Sequence, residues 1–217
     1  METITIMSAK DLVTEKLREA IYTGSFKPGE ELIQEKISQQ LGVSRMPVRE
    51  AFLILENAGL IKIQKNKRAI VKEITLESIT EHLEIRTLLE CRAAVKACQK
   101  AANFDDMARL HHKIEDCIER ADEKEYRALN AEFHFALWKL AESPKLEQML
   151  KQLWFSMPSV YPVDTKANIR RNVREHITIL DALRCRDTEQ ADKAVAFHIE
   201  KTRDVVLALL EKTRISF

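Results

Sequence analysis

The sequence predicts a mainly α-helical protein in two parts: three short helices with a small β-hairpin, followed by an all-α antiparallel helical bundle. Three observations support this fold class. Apolar residues recur with the 3.6-residue period of a helix over most of the 217 residues. Only four Gly and five Pro are present, which leaves little material for the turns of an all-β fold. One short stretch, residues 60–71, instead alternates with the two-residue period of strands.

Composition favours a globular protein in the cytoplasm. Hydrophobic residues make up 45% and charged residues 32% of the chain, and no apolar run is long enough to cross a bilayer. The first eleven residues lack the basic stretch and apolar core of a signal peptide, so we expect no export and no membrane partner. The four cysteines show no CxxC spacing, and we interpret them as small buried hydrophobes in their reduced form: Cys91, Cys98, Cys117 and Cys185.

The first three helices follow from apolar spacing and punctuation. A helix is predicted over 8–22, and Lys27-Pro28-Gly29 marks the turn after it. Ile33, Ile37 and Leu41 are spaced as one face of a second short helix over about 33–41. Gly42 follows it, where a left-handed conformation ends a helix.

The third helix is expected over 45–57, with Ser44 as its N-cap and Pro47 in its first turn. The alternating stretches 60–63 and 69–71 flank the basic segment 64–68, which predicts a hairpin. Short helix, glycine turn, longer helix and hairpin is the layout of a winged helix-turn-helix.

Charge places the DNA-reading surface at the start of the third helix. Residues 42–72 hold seven basic and two acidic residues, a plausible footprint for phosphates. Arg45, Met46 and Arg49 lie at the N-terminal end of this helix, which reaches base edges in the major groove. Ser44 at the positive helix end suits a phosphate contact. For the two arginines alone, an ordinary exposed surface would be the better interpretation; the turn and hairpin around them favour DNA binding.

The stretches LREAIYTGSFKPGEEL and LGVSRMPVREAFLILENAGLI closely resemble the N-terminal domain of the GntR family of bacterial regulators. The resemblance covers about 60 residues and implies a winged helix-turn-helix in a homodimer that binds a roughly palindromic operator. It also implies that DNA is contacted by recognition-helix and wing residues. Arg68 departs from the pattern, because it takes a place where the wing tip often carries Gly. The predicted DNA-binding residues are Ser44, Arg45, Met46, Arg49, Lys67 and Arg68.

From Thr75 to the C-terminus the pattern is helical, so we place the domain boundary at residues 73–75. Residues 1–74 form the predicted DNA-binding domain. Residues 75–217 form the predicted all-helical effector-binding and dimerisation domain. Its helices are expected over about 75–101, 104–121, 124–141, 144–158, 166–186 and 188–213.

Four polar residues in this second part suggest a metal site: Asn130, His134, His176 and His198. Asn130 and His134 are four residues apart and therefore share a helical face. Imidazoles that face the interior of a bundle from three helices can converge on zinc, nickel or a similar ion. The alternative is that each histidine is a hydrogen-bonded core residue.

The segments NAEFHFALWKLAESPKLEQML and REHITILDALRCRDTEQADKAVAFHIEKTRDVV resemble the FCD effector domain of the FadR-type GntR branch. Many FCD domains carry Asp-x3-His and two later His residues as a metal site, where the ion helps to hold a small organic acid. The three histidines match that pattern, and Asn130 departs from the commoner Asp. By the same resemblance Arg86 is a candidate clamp for an effector carboxylate; its alternative is a surface salt bridge with Glu90.

Other residues of this domain are assigned no site role. We interpret His82, His111 and His112 as surface residues. Trp138 and Trp154 are expected in the core, where either could line the effector cavity.

Three functions remain open from the sequence. The first is an effector-responsive regulator, expected to be a repressor, whose operator affinity is controlled by a small carboxylate. The second is a metal sensor in which the ion itself is the signal. The third is a metal-dependent enzyme fused to a DNA-binding module, which is disfavoured because no nucleophile or general base clearly accompanies the histidines. We therefore expect no enzymatic activity.

Overall fold

A computed structural model describes residues 8–65, 68–120, 122–156 and 166–214 of the chain. These residues divide into two compact units. The first contains residues 8–75 together with 155 and 156, and the second contains 76–154 and 166–214. The predicted fold class is confirmed, since a helix-turn-helix with a small sheet precedes an all-helical part.

The first unit contains three helices and three strands. Their bounds are α1 Ala9–Tyr22, β1 Glu31–Ile33, α2 Gln34–Leu41, α3 Arg45–Asn57, β2 Ile61–Gln64 and β3 Arg68–Val71. The strands form one antiparallel sheet in the order β1-β3-β2. The predicted hairpin is therefore β2–β3, and β1 is an additional strand on its outer side.

Strand β1 corrects the predicted start of the second helix. Ile33 was expected to be helical, but it pairs with Arg68 of β3, and α2 begins at Gln34. Gly29, at φ +84°, makes the preceding turn and donates its N–H to the Val71 carbonyl at 2.9 Å. The apolar spacing indicated a longer helix because it contains no information about this long-range pairing.

The small core of this unit orients the third helix. One face of α3 is fully buried against α1 and the sheet by Val48, Ala51, Phe52 and Leu55. Gly42 ends α2 in the left-handed conformation at φ +64°, as predicted, and makes the tight turn into α3. The opposite face and the N-terminal end of α3 are thereby left exposed.

The second unit is all-helical among its described residues. Its helices are α4 Leu76–Lys100, α5 Asp105–Arg120, α6 Glu123–Leu140, α7 Pro144–Ser156, α8 Lys166–Arg184 and α9 Thr188–Arg214. Helix α4 packs along α9 and α6, and α8 packs against α5 and α9. Three cysteines are buried as expected, but Cys185, just beyond the end of α8, is exposed. No helix in the described residues combines the length and apolarity needed to cross a membrane.

Candidate functional site

The exposed end of α3 forms one surface with the sheet. Arg45, Met46 and Arg49 are exposed there, and Met46 has 57% of its surface accessible. They share a shallow pocket with residues of α2, of α3 itself and of β2 and its turn: Gln34, Leu53, Ile63, Gln64 and Lys65. The structure thus brings together the predicted recognition-helix residues on one basic face.

The predicted DNA-binding arginines differ in their ion pairs. Arg45 pairs with Glu35 of α2, whereas Arg49 makes no ion pair within the described part of the chain. Arg68 donates from Nη1 to both carboxylate oxygens of Glu31 at 3.0 Å. Exposed pairs of this kind contribute about 0–1 kcal/mol, so DNA phosphates can replace the carboxylates at little cost.

The structure agrees only in part with the DNA-contact predictions for Ser44, Arg68 and Lys67. Ser44 occupies the N-cap of α3, as expected, but its side chain makes no capping hydrogen bond. Arg68 is the first residue of β3, paired with Gln64 and Ile33, rather than a residue of the wing loop. Lys67 lies outside the described residues.

In the helical unit, three histidines from three helices meet in the interior. His134 of α6, His176 of α8 and His198 of α9 are at most 3% exposed. Their ring centroids are 4.9–5.3 Å apart, and one nitrogen from each lies within 4.8 Å of the others. We call these three residues the histidine cluster. Buried apolar neighbours, such as Phe133 before His134 and Ile199 after His198, hold these helix faces inside the bundle.

Two buried carboxylates orient two of the imidazoles. Nδ1 of His134 lies 2.9 Å from Oε2 of Glu90, and Nδ1 of His198 lies 2.7 Å from Oε2 of Glu175. A carboxylate accepts, so each Nδ1 carries the proton and donates it. Nε2 of each ring is then left with a free lone pair, which is the arrangement found at metal-binding histidines.

His176 has no such partner on either side. Both of its ring nitrogens are buried, and neither has a hydrogen-bond partner among the described residues. The same holds for Oδ1 of Asn130, one turn before His134 on α6. A buried polar atom without a partner costs about 1–3 kcal/mol, so these atoms mark a place where a ligand would be stabilising.

The electrostatics keep two of these imidazoles neutral, those of His134 and His176. Burial lowers the pKa of His134 to about 4, although Glu90 opposes this shift. Burial also lowers the pKa of His176 well below its ordinary value, and neighbouring His198 and His134 lower it further. Neutral imidazoles are the form that binds metals, and three histidines with an amide oxygen are a donor set that suits zinc or nickel.

Arg86 of α4 belongs to the same polar interior. Its Nε donates to Oε1 of Glu90 at 2.5 Å, and its guanidinium carbon lies 4.4 Å above the ring centroid of Trp154. The alternative salt bridge with Glu90 therefore exists, but it is buried rather than on the surface, with Glu90 fully inaccessible. Burial would raise the pKa of Glu90, but Arg86 and His134 hold that pKa below its usual range.

The sequence prediction missed several residues of this interior. Glu90 and Glu175 were assigned no role beside the histidines, although their spacing from Arg86 and His176 was visible. His111 is buried at 3% exposure, so its interpretation as a surface residue is wrong. His82 is half-buried, and burial, with a contribution from Arg86, lowers its pKa to about 4. His112 is exposed, as predicted.

A helix-turn-helix with exposed arginines on its third helix, joined to a helical unit with a buried polar cluster, defines a DNA-binding regulator with a ligand-binding domain. Comparisons with known proteins agree with this class. Residues 9–71 match the model of the gntR family of bacterial regulatory proteins, and residues 81–201 match the FCD domain model.

Similar proteins are regulators as well. The chain is 28% identical over 183 residues to the transcriptional regulator McbR of Escherichia coli, covering 82% of this chain and 83% of McbR. It is 26% identical over 194 residues to the repressor RspR of the same species, covering 88% and 85%. A solved structure of E. coli McbR/YncC superposes with a TM-score of 0.72 at 25% identity, covering 96% of this chain and all of that one.

The chain belongs to the GntR family of bacterial regulators and carries an FCD domain. It is therefore a DNA-binding transcription regulator and not an enzyme.

The buried ion pair generates a stability prediction. Glu90→Gln removes the charge between Arg86 and His134, and leaving Arg86 without its buried partner should destabilise the helical unit by about 3–5 kcal/mol. Glu84→Gln on the exposed side of α4 is the control and should change stability by less than about 0.5 kcal/mol. Both tryptophans lie in α6 and α7, so urea unfolding followed by tryptophan fluorescence reports on this unit. Equal midpoints for the two variants would contradict the assigned role of Glu90.

Proposed function

We propose that the chain is a repressor whose affinity for operator DNA is controlled by a small organic acid, bound in the helical domain together with a divalent transition metal. GntR-family regulators bind operators, and FCD domains bind small-molecule effectors. Our proposal adds four points to this: the metal, the acidic nature of the effector, the homodimer and the sign of regulation. The sign follows RspR, which is named a repressor.

The observation that carries the metal proposal is the ring of His176, whose centroid lies 4.9–5.3 Å from those of the other two histidines and whose two buried nitrogens have no hydrogen-bond partner among the described residues. His134, His176 and His198 would supply imidazole nitrogens, and Asn130 would supply its amide oxygen. Asn is a weaker ligand than the Asp that many FCD domains carry at this place, so lower affinity for the ion is expected. When bound, zinc or nickel would act as a Lewis acid with open positions for an effector carboxylate.

Arg86 is the proposed second contact for the effector. Among the described residues, only its Nε has a hydrogen-bond partner, so the two terminal nitrogens can bind a carboxylate side by side. Trp154 supports the guanidinium plane from one face and limits its rotation. An acid held by Arg86 would join α4 to the histidine cluster on α6, α8 and α9.

An effector can alter operator affinity only if it binds the two states of the regulator with different affinities. The proposed acid would favour one arrangement of these four helices. We propose that the regulator acts as a homodimer, because one winged helix reads only a short half-site of an operator. The effector would then change how well two DNA-binding units fit two half-sites.

The second candidate is a metal sensor. The same histidine cluster carries it, since three histidine ligands can bind an ion without any organic ligand. In that case the ion alone would change operator affinity.

For DNA, the proposed contacts are Ser44, Arg45, Met46, Arg49, Lys67 and Arg68. Arg49 is the sharpest test because it is exposed and has no ion pair to break within the described residues. Arg49→Ala should weaken binding to the specific operator by roughly 1–3 kcal/mol and binding to random DNA much less. The control is Arg109→Ala, an exposed arginine of α5. Fluorescence anisotropy with both DNAs measures the difference; an equal loss on both would assign Arg49 to phosphate contact.

For the metal, His176→Ala should abolish binding, since it removes the donor that lies close to both other imidazoles. Elemental analysis of dialysed, untagged protein should find about one transition metal ion fewer per chain in the variant than in the wild type. Thr178→Ala, an exposed position on the same helix, should keep the metal. If His176→Ala keeps its metal, or if the wild type holds no metal after incubation with zinc or nickel, the histidines are core residues and not metal ligands.

A further inference from the structure

A second group of possible metal ligands lies on α5, apart from the histidine cluster. His111, His112 and Glu115 each offer one ligand atom, and these three atoms lie within 4.8 Å of one another. Glu115 follows His112 by three residues and His111 by four, so its side chain lies beside both imidazoles on the helix surface. The function proposed above does not use any of these residues.

The hydrogen bond of His111 defines which of its nitrogens is available. Its Nε2 lies 3.1 Å from the carbonyl oxygen of Val173 on α8. A carbonyl only accepts, so Nε2 carries the proton and donates it. In the neutral ring Nδ1 then has a free lone pair. A metal-binding histidine is held in the same way, with one nitrogen donating to a carbonyl and the other binding the ion.

The lone pair on Nδ1 of His111 lies close to a second hydrogen-bond acceptor, the carboxylate of Glu115. Oε2 of Glu115 lies 3.5 Å from it, and the same oxygen accepts a hydrogen bond from Nδ1 of His112 at 3.1 Å. An ionised carboxylate has no proton to donate, so it and Nδ1 of His111 repel unless a proton or a cation lies between them. Nδ1 of His111 and Oε2 of Glu115 are therefore two electron-rich atoms side by side. An ion bound to them would gain Nδ1 of His112 as a third ligand once the proton of that exposed ring moves to Nε2.

The spacing of these atoms suits a shared ion. Bonds of about 2.0–2.2 Å from a tetrahedral zinc ion place its ligand atoms roughly 3.4 Å apart. The two distances to Oε2 are close to that value. His112 is 78% and Glu115 49% exposed, so both side chains can adjust, while buried His111 is fixed by Val173. One ligand is thus preorganised, and the solvent side is open for water.

We propose that His111, His112 and Glu115 form a second, peripheral binding site for a divalent transition metal such as zinc. Two imidazoles and a carboxylate suit zinc, copper or nickel. The site is weaker than a buried one because two of its ligands are exposed. It is linked to the interior through Val173, which lies three residues before His176 on α8.

Isothermal titration with zinc tests this site in the untagged full-length chain. His112→Ala and Glu115→Gln should each bind one zinc ion fewer per chain than the wild type, or bind that ion at least about tenfold more weakly. The matched controls are Lys113→Ala and Asp116→Asn, exposed neighbours on the same helix. They should bind zinc as the wild type does.

His176→Ala separates this site from the histidine cluster. It should lose the cluster's ion and keep the ion that depends on His112. If His176→Ala binds as much zinc as the wild type while His112→Ala binds less, the cluster is not a metal site and the peripheral site stands. Zinc binding by His112→Ala and Glu115→Gln that equals the wild type would overturn the peripheral site, and so would a wild type that binds no zinc.

Discussion

The buried carboxylate of Glu90 is the interaction on which the interior of the helical unit depends. It is fully inaccessible, and it accepts hydrogen bonds from Arg86 on its own helix and from His134 on α6. A buried charge without partners would be strongly destabilising, so these two residues must stay in place for the helices to pack as they do. The bond to His134 also selects the tautomer that leaves Nε2 free. Stability of the bundle and readiness for a ligand therefore depend on the same carboxylate.

The two units use charge in opposite ways. In the helix-turn-helix, apolar residues of α1, α3 and the sheet fill the core, and the recognition-helix arginines stay exposed to meet a polyanion. In the helical unit, charged and polar side chains from four helices are buried together: Arg86, Glu90, His134, Glu175, His176 and His198. Because such burial is costly, this polar cluster within an otherwise apolar core supports the proposal that the domain binds a small polar ligand.

The sequence correctly predicted the features that depend on local pattern. The helices, the hairpin, the Gly42 turn and the convergence of the three histidines all follow from periodicity and motif spacing. Strand β1 was missed because its pairing with β3 joins residues 35–39 positions apart, which no local pattern records. Arg68 was placed in the wing loop because the basic segment 64–68 marked the predicted turn, although Arg68 pairs with Gln64 and begins β3.

The sequence also could not show which individual polar residues are buried. His111 was interpreted as a surface residue because adjacent His111 and His112 cannot share a helical face. The helix instead turns His111 towards α8, where its imidazole reaches the Val173 carbonyl. Glu90 and Glu175 look like ordinary charged helix residues in the sequence. Their roles depend on which residues of other helices lie beside them, and that is a property of the packed bundle.

The central claim is that a metal-held acid, and not the ion alone, controls operator affinity. Fluorescence anisotropy of operator binding tests it directly, with zinc and small carboxylates such as citrate added separately and together to wild type and His176→Ala. We expect zinc alone to leave operator affinity nearly unchanged, and an effective acid to weaken binding only with zinc present and His176 intact. A full change with zinc alone, or an equal effect of the acid on His176→Ala, would contradict it.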